Sequence, residues 1–210
     1  MLAGGRSSRM GSDKALALFG GRPLIQLAVA NLAAAGIFAR IAGSRSALGA
    51  FAPEIPDVLS DSGPMGGIHA ALSASVAELN LFLPVDMPLM PASLLACLLE
   101  RAMLTGAPVT ASRLNGCLQP FPAVLRRTVL PEIHQCLAAG DTACYKAWQA
   151  IPKKVESELD AVAIESLIQC GQCRHPGGFP AVLWFQSANT PANLRRLNNL
   201  ERLSHFSQVI

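Results

Sequence analysis

The sequence lacks long hydrophobic runs and has few charged and aromatic residues, which make up 15% and 5% of its 210 residues. No stretch approaches the roughly 20 apolar residues of a membrane span. The first ten residues, MLAGGRSSRM, contain no apolar segment of signal-peptide type, so we expect a cytoplasmic protein. A net charge of +3, from 17 basic and 14 acidic side chains, does not predict the extended basic face of a nucleic-acid-binding protein.

The cysteines do not predict a disulfide framework. Six cysteines are scattered between positions 97 and 173 of a chain without an export signal, which favours free thiols. Only Cys170 and Cys173 have a recognisable spacing, with His175 close by. A structural zinc site usually needs four ligands and no second pair is evident, so we favour loop thiols over a metal or redox site.

Apolar residues are plentiful, and their arrangement predicts one α/β domain over residues 1–210. Hydrophobic residues make up 51% of the chain, enough for one large core. Helix-like and strand-like segments alternate, which predicts a mostly parallel sheet between two layers of helices. The predicted helices cover residues 23–35, 68–77, 91–104, 128–139, 141–150 and 192–203. The predicted strands cover residues 37–42, 79–85, 107–111 and 181–185, and residues 171–180 are predicted to form an exposed loop.

Asp86 stands out because it ends the most apolar of these segments. Residues 79–85 have the composition of a central strand buried on both faces, and the run stops at this carboxylate. Ligands of open α/β sheets collect at the carboxyl ends of strands, and an ionised group placed there needs a partner. We therefore favour metal binding for Asp86 over a turn or capping role.

A glycine-rich and cation-rich segment, LAGGRSSRMGSDK at residues 2–14, has the properties of a phosphate-binding loop. Gly4 and Gly5 allow the backbone N–H groups to approach an anion, while Arg9 and Lys14 can neutralise phosphate oxygens. Asp13 is interpreted as support for the loop. The spacing matches neither the P-loop nor the dinucleotide-binding fingerprint, and the bland alternative is a flexible surface loop.

This segment resembles the signature of the molybdenum cofactor guanylyltransferase family, L-A-G-G-x-S-x-R-M-G-x-D-K, at every fixed position. Related cytidylyltransferases usually begin L-A-A-G, so Gly4-Gly5 favours the guanylyl branch. Further segments resemble family landmarks over nearly the whole chain: Asp61 with GPMGG at 63–67, LPVDMP at 83–88, Gln119-Pro120, the stretch 137–140, and Asn189-Thr190-Pro191.

The resemblance implies a Rossmann-like three-layer αβα sandwich of the nucleotide-diphospho-sugar transferase type. It implies transfer of GMP from GTP to molybdopterin, with Mg²⁺ as cofactor and molybdoenzymes or their chaperones as further partners. Arg9, Lys14 and Asp86 would be catalytic, and Asp86 would hold the metal. The implied nucleotide-binding residues are Leu2, Ala3, Gly4, Gly5, Lys14, Ser44, Asp61 and Asp86.

Three departures from the family pattern leave alternatives open. The strand expected before Leu2 is missing or truncated, Ser44 lies where an Asn is common, and Asp61 is unusually close to Gly63-Pro64. One alternative is a cytidylyltransferase or sugar-phosphate nucleotidyltransferase of the same fold. The other is a non-catalytic cofactor-binding adaptor.

Overall fold

A computed structural model describes residues 1–3, 13–43, 48–56 and 62–207 of the chain. Helices and strands alternate along this part of the chain, as predicted for an α/β protein. The helices are α1 (Leu24–Ala34), α2 (Gly63–Ala74), α3 (Ala92–Thr105), α4 (Leu130–Ala138), α5 (Cys144–Lys154), α6 (Ile164–Gln169), α7 (Ala181–Trp184) and α8 (Pro191–Ser207). The strands are β1 (Leu18–Phe19), β2 (Arg22–Pro23), β3 (Ile41–Ala42), β4 (Glu54–Ile55), β5 (Leu79–Phe82), β6 (Val109–Leu114), β7 (Cys117–Arg126) and β8 (Asp160–Ala163).

The sheets are small and mixed, so the prediction of one mostly parallel sheet is wrong. The largest has four strands in the order β5-β7-β6-β8, in which β7 is antiparallel to both β5 and β6 and only β8 is parallel to β6. Strands β3 and β4 form a parallel pair, and β1 and β2 form an antiparallel pair.

The β6–β7 hairpin is the physical reason for the antiparallel strands. Asn115 and Gly116 separate the two strands, with φ angles of 49° and 76°. Positive φ at both central residues defines the two-residue turn that matches the twist of a hairpin, and so short a connection can join only antiparallel strands.

Leu2 lies between β3 and the residues that follow β5. Its N–H group donates to the Leu83 carbonyl (2.8 Å), and its own carbonyl accepts from Val85 (3.0 Å). On the other side, Ala3 donates to the Ala42 carbonyl over 3.0 Å, and both bridges of Leu2 are parallel. Residues 1–3 thus hydrogen-bond to β3 on one side and to residues 83–85 on the other, and connect two of the sheets.

The core lies on both faces of the four-stranded sheet, because alternate residues of β7 point to opposite sides. Val124 belongs to one core cluster with buried residues of α1, α3, α6, α7 and α8, whereas Ala123 and Leu125 belong to a second cluster with those of α2, α4 and α5. The helices therefore form two layers with the sheet between them. Within the described residues, no helix is both long and apolar enough to cross a bilayer.

Most predicted helices are confirmed, but the predicted strand at residues 181–185 is wrong. The segment forms the short helix α7, and the buried indole of Trp184 donates to the Phe179 carbonyl over 2.7 Å, which closes the chain into a turn. The loop at residues 171–180 has no helix or strand, as predicted, but it is not exposed throughout because Cys173 is buried.

Candidate active site

Asp86 is a buried carboxylate beyond the end of β5, with only 6% of the residue exposed. The preceding residue, Val85, donates to the Leu2 carbonyl, so Asp86 directly follows the pairing with residues 1–3. Its own carbonyl accepts from the Ala188 N–H group over 2.8 Å. The backbone therefore ties Asp86 both to the sheet and to the residues before α8.

Lys14 is the last residue of the phosphate-loop segment, and its side chain reaches Asp86. It opens a single 3-10 turn, Lys14–Leu16, whose cap is Asp13: the Asp13 carboxylate accepts from the Ala15 N–H group over 3.0 Å. Ala15 is fully buried, which anchors the turn. Asp13 therefore supports the turn that carries Lys14, and the Lys14 ammonium contacts the Asp86 Oδ2 atom.

Asn189 is a third member of this cluster, although in the sequence it stands out only as part of a family landmark. Its Oδ1 atom accepts a hydrogen bond from the Lys14 ammonium. Thr190 caps α8 by accepting from the Asn193 N–H group over 3.1 Å, and Pro191 takes the first helical position. The signal was present in the sequence, because a polar residue directly before a capping Thr-Pro pair is held at a defined helix start.

Helix α2 packs closely against the residues that lead into the loop. The sequence predicted a GPMGG turn followed by a helix from residue 68, but α2 already begins at Gly63. Pro64 explains the early start, since its fixed φ suits the first turn of a helix and its missing N–H group is not needed there. A Cβ atom on Gly67 would lie 3.3 Å from Leu2 Cδ2 and 3.6 Å from Ala42 Cβ, so glycine permits the close approach.

Of the predicted site residues, the structure describes Leu2, Ala3, Lys14 and Asp86. Lys14 and Asp86 are brought together. Leu2 and Ala3 donate their N–H groups to the sheet, so these two groups are already paired. The other predicted site residues lie outside the described residues: Gly4, Gly5, Arg9, Ser44 and Asp61.

Two histidines meet where α2 packs on α4. His134 Nδ1 lies 3.4 Å from His69 Nε2, and the ring centroids are 5.4 Å apart. Burial, and then the proximity of His134, lower the pKa of His69 below its ordinary value. The neutral form of His69 is therefore favoured near neutral pH.

The cysteines are all free thiols, as predicted. Cys173 Sγ lies 3.5 Å from Ser93 Oγ, and burial raises the pKa of the Cys173 thiol, whereas Cys170 is exposed. Across the described part of the chain, no three His, Cys, Asp or Glu side chains gather into a metal-binding group.

The cluster of Lys14, Asp86 and Asn189 combines one cation, one buried carboxylate and one amide oxygen. An ammonium suits a phosphate oxygen, and carboxylate and amide oxygens suit a hard divalent cation. The cluster therefore holds the types of donor that a metal-bound phosphate chain requires, at the end of the β5 segment.

Several known proteins are similar to this chain in sequence. The family model described as "MobA-like NTP transferase domain" matches residues 1–155. A probable molybdenum cofactor guanylyltransferase of Deinococcus radiodurans is 32% identical over 197 residues, which cover 93% of this chain and 91% of that protein. A molybdenum cofactor guanylyltransferase of Vibrio cholerae is 36% identical over 145 residues, covering 67% of this chain and 71% of that protein.

Solved structures support the fold. Molybdopterin-guanine dinucleotide biosynthesis protein A from Archaeoglobus fulgidus superposes with a TM-score of 0.75 at 18% identity, covering 95% of each chain. A 2-C-methyl-D-erythritol 4-phosphate cytidylyltransferase from Thermus thermophilus superposes with a TM-score of 0.64 at 17% identity, covering 96% of this chain and 97% of the other. A protein named for guanine dinucleotide biosynthesis and one named as a cytidylyltransferase thus share the fold, so the fold alone does not identify the base.

Proposed function

Since the chain belongs to the MobA-like NTP transferase family, we propose that it is a molybdenum cofactor guanylyltransferase. The family resemblance drawn from the sequence motifs is confirmed by the match over residues 1–155. The proposed reaction transfers GMP from GTP to molybdopterin or the molybdenum cofactor and releases pyrophosphate. The guanylyl assignment is supported by relatives that carry this activity in their names and align over most of the chain.

The observation that carries the proposal is the meeting of Lys14 with Asp86. These residues are 72 positions apart in sequence and belong to two different family motifs, yet their side chains are in direct contact. A buried carboxylate and a cation at the end of a strand segment suit a site that handles a phosphate chain with a divalent metal.

We assign the following roles within this proposal. Lys14 and Arg9 bind phosphate oxygens of GTP and stabilise the charge that develops at the α-phosphorus. Within the segment from Leu2 to Gly5, Gly4 and Gly5 offer their N–H groups to the nucleotide phosphates, because those of Leu2 and Ala3 are paired within the sheet. Asp61 and Ser44 contact the guanosine part.

Mg²⁺ is the proposed cofactor, and the donors at Asp86 fit it. Mg²⁺ prefers oxygen ligands and, when bound to substrate phosphates, usually takes only one or two protein carboxylates. Asp86 supplies one carboxylate, and the Asn189 amide oxygen lies at the same Lys14 ammonium. When bound, the cation would neutralise charge on the α-phosphate and help to hold the reacting groups in line.

The chain's own residues need to supply little covalent chemistry. An oxygen of the terminal phosphate of molybdopterin forms a bond to the α-phosphorus of GTP, and the bond from that phosphorus to the bridging oxygen of the β-phosphate breaks. The electron pair leaves with pyrophosphate. The attacking phosphate is already ionised, so the protein has to orient the groups and stabilise charge rather than remove a proton.

The test is to incubate the protein with Mg²⁺, molybdopterin and GTP, CTP or ATP in turn, and to measure pyrophosphate. We expect release with GTP. Activity with CTP only would overturn the guanylyl assignment, and no release with any nucleotide would favour a non-catalytic adaptor. Asp86→Asn should lower kcat/KM for GTP by at least about a hundredfold, as expected when an electrostatic contact to the transition state is lost. Asp141→Asn, the same substitution outside the site, should retain activity.

A further inference from the structure

While Lys14 and Asp86 contact each other, neither the ammonium nor the carboxylate is free to bind a ligand. The Asp86 side chain is 8% exposed and that of Lys14 is 23% exposed. A carboxylate so far removed from water depends on a positive partner. Among the described residues, Lys14 is the ion-pair partner of Asp86.

Each member of the pair has a second partner in the proposed reaction. Lys14 would bind phosphate oxygens, and Asp86 would bind the divalent cation. While the two side chains contact each other, the Asp86 Oδ2 atom is occupied by an ammonium, and that ammonium is directed at a carboxylate and at the Asn189 amide oxygen. A cation and Lys14 therefore compete for one carboxylate, and a phosphate and Asp86 compete for one ammonium.

We infer, on the basis of the proposed function, that the Lys14–Asp86 contact couples the binding of the divalent cation to the binding of the triphosphate. A cation that binds alone displaces Lys14 and leaves the ammonium without its anion. A triphosphate that binds alone draws Lys14 away and leaves a buried carboxylate unpaired, which is strongly unfavourable. When both ligands bind, the Lys14–Asp86 pair is replaced by two pairs, Lys14 with the triphosphate and Asp86 with the cation. The cost of separating Lys14 from Asp86 then arises once for both ligands.

The coupling is reciprocal, since each ligand must raise the affinity for the other by the same factor. The Asn189 contact strengthens the coupling, because an ammonium held by two acceptors is harder to displace than one held by a single acceptor. The pair thus makes Asp86 selective for cations that arrive with a phosphate chain.

The experiment uses the whole protein at pH 8 with two probes, Mn²⁺ and inorganic triphosphate. Electron paramagnetic resonance of free Mn²⁺ reports cation binding, and calorimetry in EDTA reports binding of metal-free triphosphate. We expect Lys14→Met to tighten Mn²⁺ binding to the protein alone by about tenfold, and Asp86→Asn to tighten metal-free triphosphate binding by about tenfold, within the usual range of coupling factors. Asp86→Asn should also weaken Mn²⁺ binding, both in the wild-type protein and in combination with Lys14→Met, which identifies Asp86 as the ligand.

Lys146→Met and Asp141→Asn are the matched controls, because they make the same substitutions outside the site and should change neither affinity. The inference is overturned if Lys14→Met leaves Mn²⁺ affinity unchanged and Asp86→Asn fails to tighten triphosphate binding. If circular dichroism shows that Lys14→Met is unfolded, the Asp86→Asn measurement decides alone in the same way. Pyrophosphate release by the wild-type protein is a separate readout: release without coupling leaves the proposed function standing, and absence of release contradicts that function whatever the binding data show.

Discussion

The indole Nε1 of Trp148 donates a hydrogen bond of 2.8 Å to the backbone carbonyl of Pro120, which connects α5 to β7. Trp148 is fully buried, and its ring meets that of Phe121 edge-on at 6.3 Å between centroids. We expect Trp148→Phe to lower the free energy of unfolding by about 1–3 kcal/mol, because the partly buried Pro120 carbonyl loses its donor. Urea unfolding measures this change in free energy. Tyr145→Phe, on the exposed side of the same helix, should change the free energy by less than about 0.5 kcal/mol.

The pair formed by His69 and His134 predicts a pH dependence of stability. The pKa of His69 is lower in the folded than in the unfolded protein, so the unfolded state binds more protons as the pH falls through the ordinary histidine range. The stabilisation by neutral His69 is therefore present above the unfolded pKa and is lost in acid. Between pH 8 and pH 5, His69→Gln should lose less stability than the wild type in urea titrations.

His134→Gln separates the two causes of the His69 shift. Burial is the larger cause and His134 the smaller one, so this variant should move the NMR titration midpoint of His69 upward without restoring the ordinary value. A midpoint that does not move would show that His134 has no influence on His69.

Gly67 predicts a link between helix packing and the nucleotide site. A Cβ atom there would lie 3.3 Å from Leu2 Cδ2, so a larger side chain must push on the residues that precede the loop. We expect Gly67→Val to lower the free energy of unfolding by about 1–3 kcal/mol through overpacking, and to weaken GTP binding. Ser73→Val is the control. It places valine on the exposed face of α2, so it lowers helix propensity without overpacking and should leave GTP affinity unchanged. Calorimetry with Mg²⁺ and GTP measures the affinities.

The cysteines predict a fixed order of thiol reactivity. Burial raises the pKa of Cys144 to about 12 and also raises that of Cys173, so both thiols stay protonated and inaccessible in the native protein. Cys170 is exposed. Brief treatment with a maleimide at pH 7.5, followed by peptide mass spectrometry, should label Cys170 long before Cys173. Equal labelling of both in the folded protein would contradict the burial of Cys173.

The sequence predicted the parts of the fold that depend on local patterns. Asp86 is predictable because an apolar run ends there, α1 from its early proline and the glycine that follows it, and α8 from the Thr190-Pro191 pair at its start. Strand β7 was missed because Pro120 and Pro122 lack the N–H groups that a strand interior normally uses, and the ladder is out of register at this point. The Asn115-Gly116 pair was the available signal for the hairpin.

The remaining differences depend on contacts between distant residues. Helix α7 has only four residues, too few for local propensity to decide its structure, and the hydrogen bond from Trp184 to Phe179 is a consequence of packing. Asn189 could be recognised as part of a helix start, but its contact with Lys14 spans 175 positions and appears only in the folded chain.

That span has a consequence for biosynthesis. Ribosomes make the chain from the amino end at roughly 5–20 residues per second, so Lys14 and Asp86 emerge and can pair while the final third of the protein is still being translated. The acceptor at Asn189 and the carbonyl contact made by Ala188 arrive only with the last segment. A nascent chain can therefore form the ion pair before the cluster is complete, and a nonsense mutation between positions 156 and 189 would leave the family-matching region without Asn189.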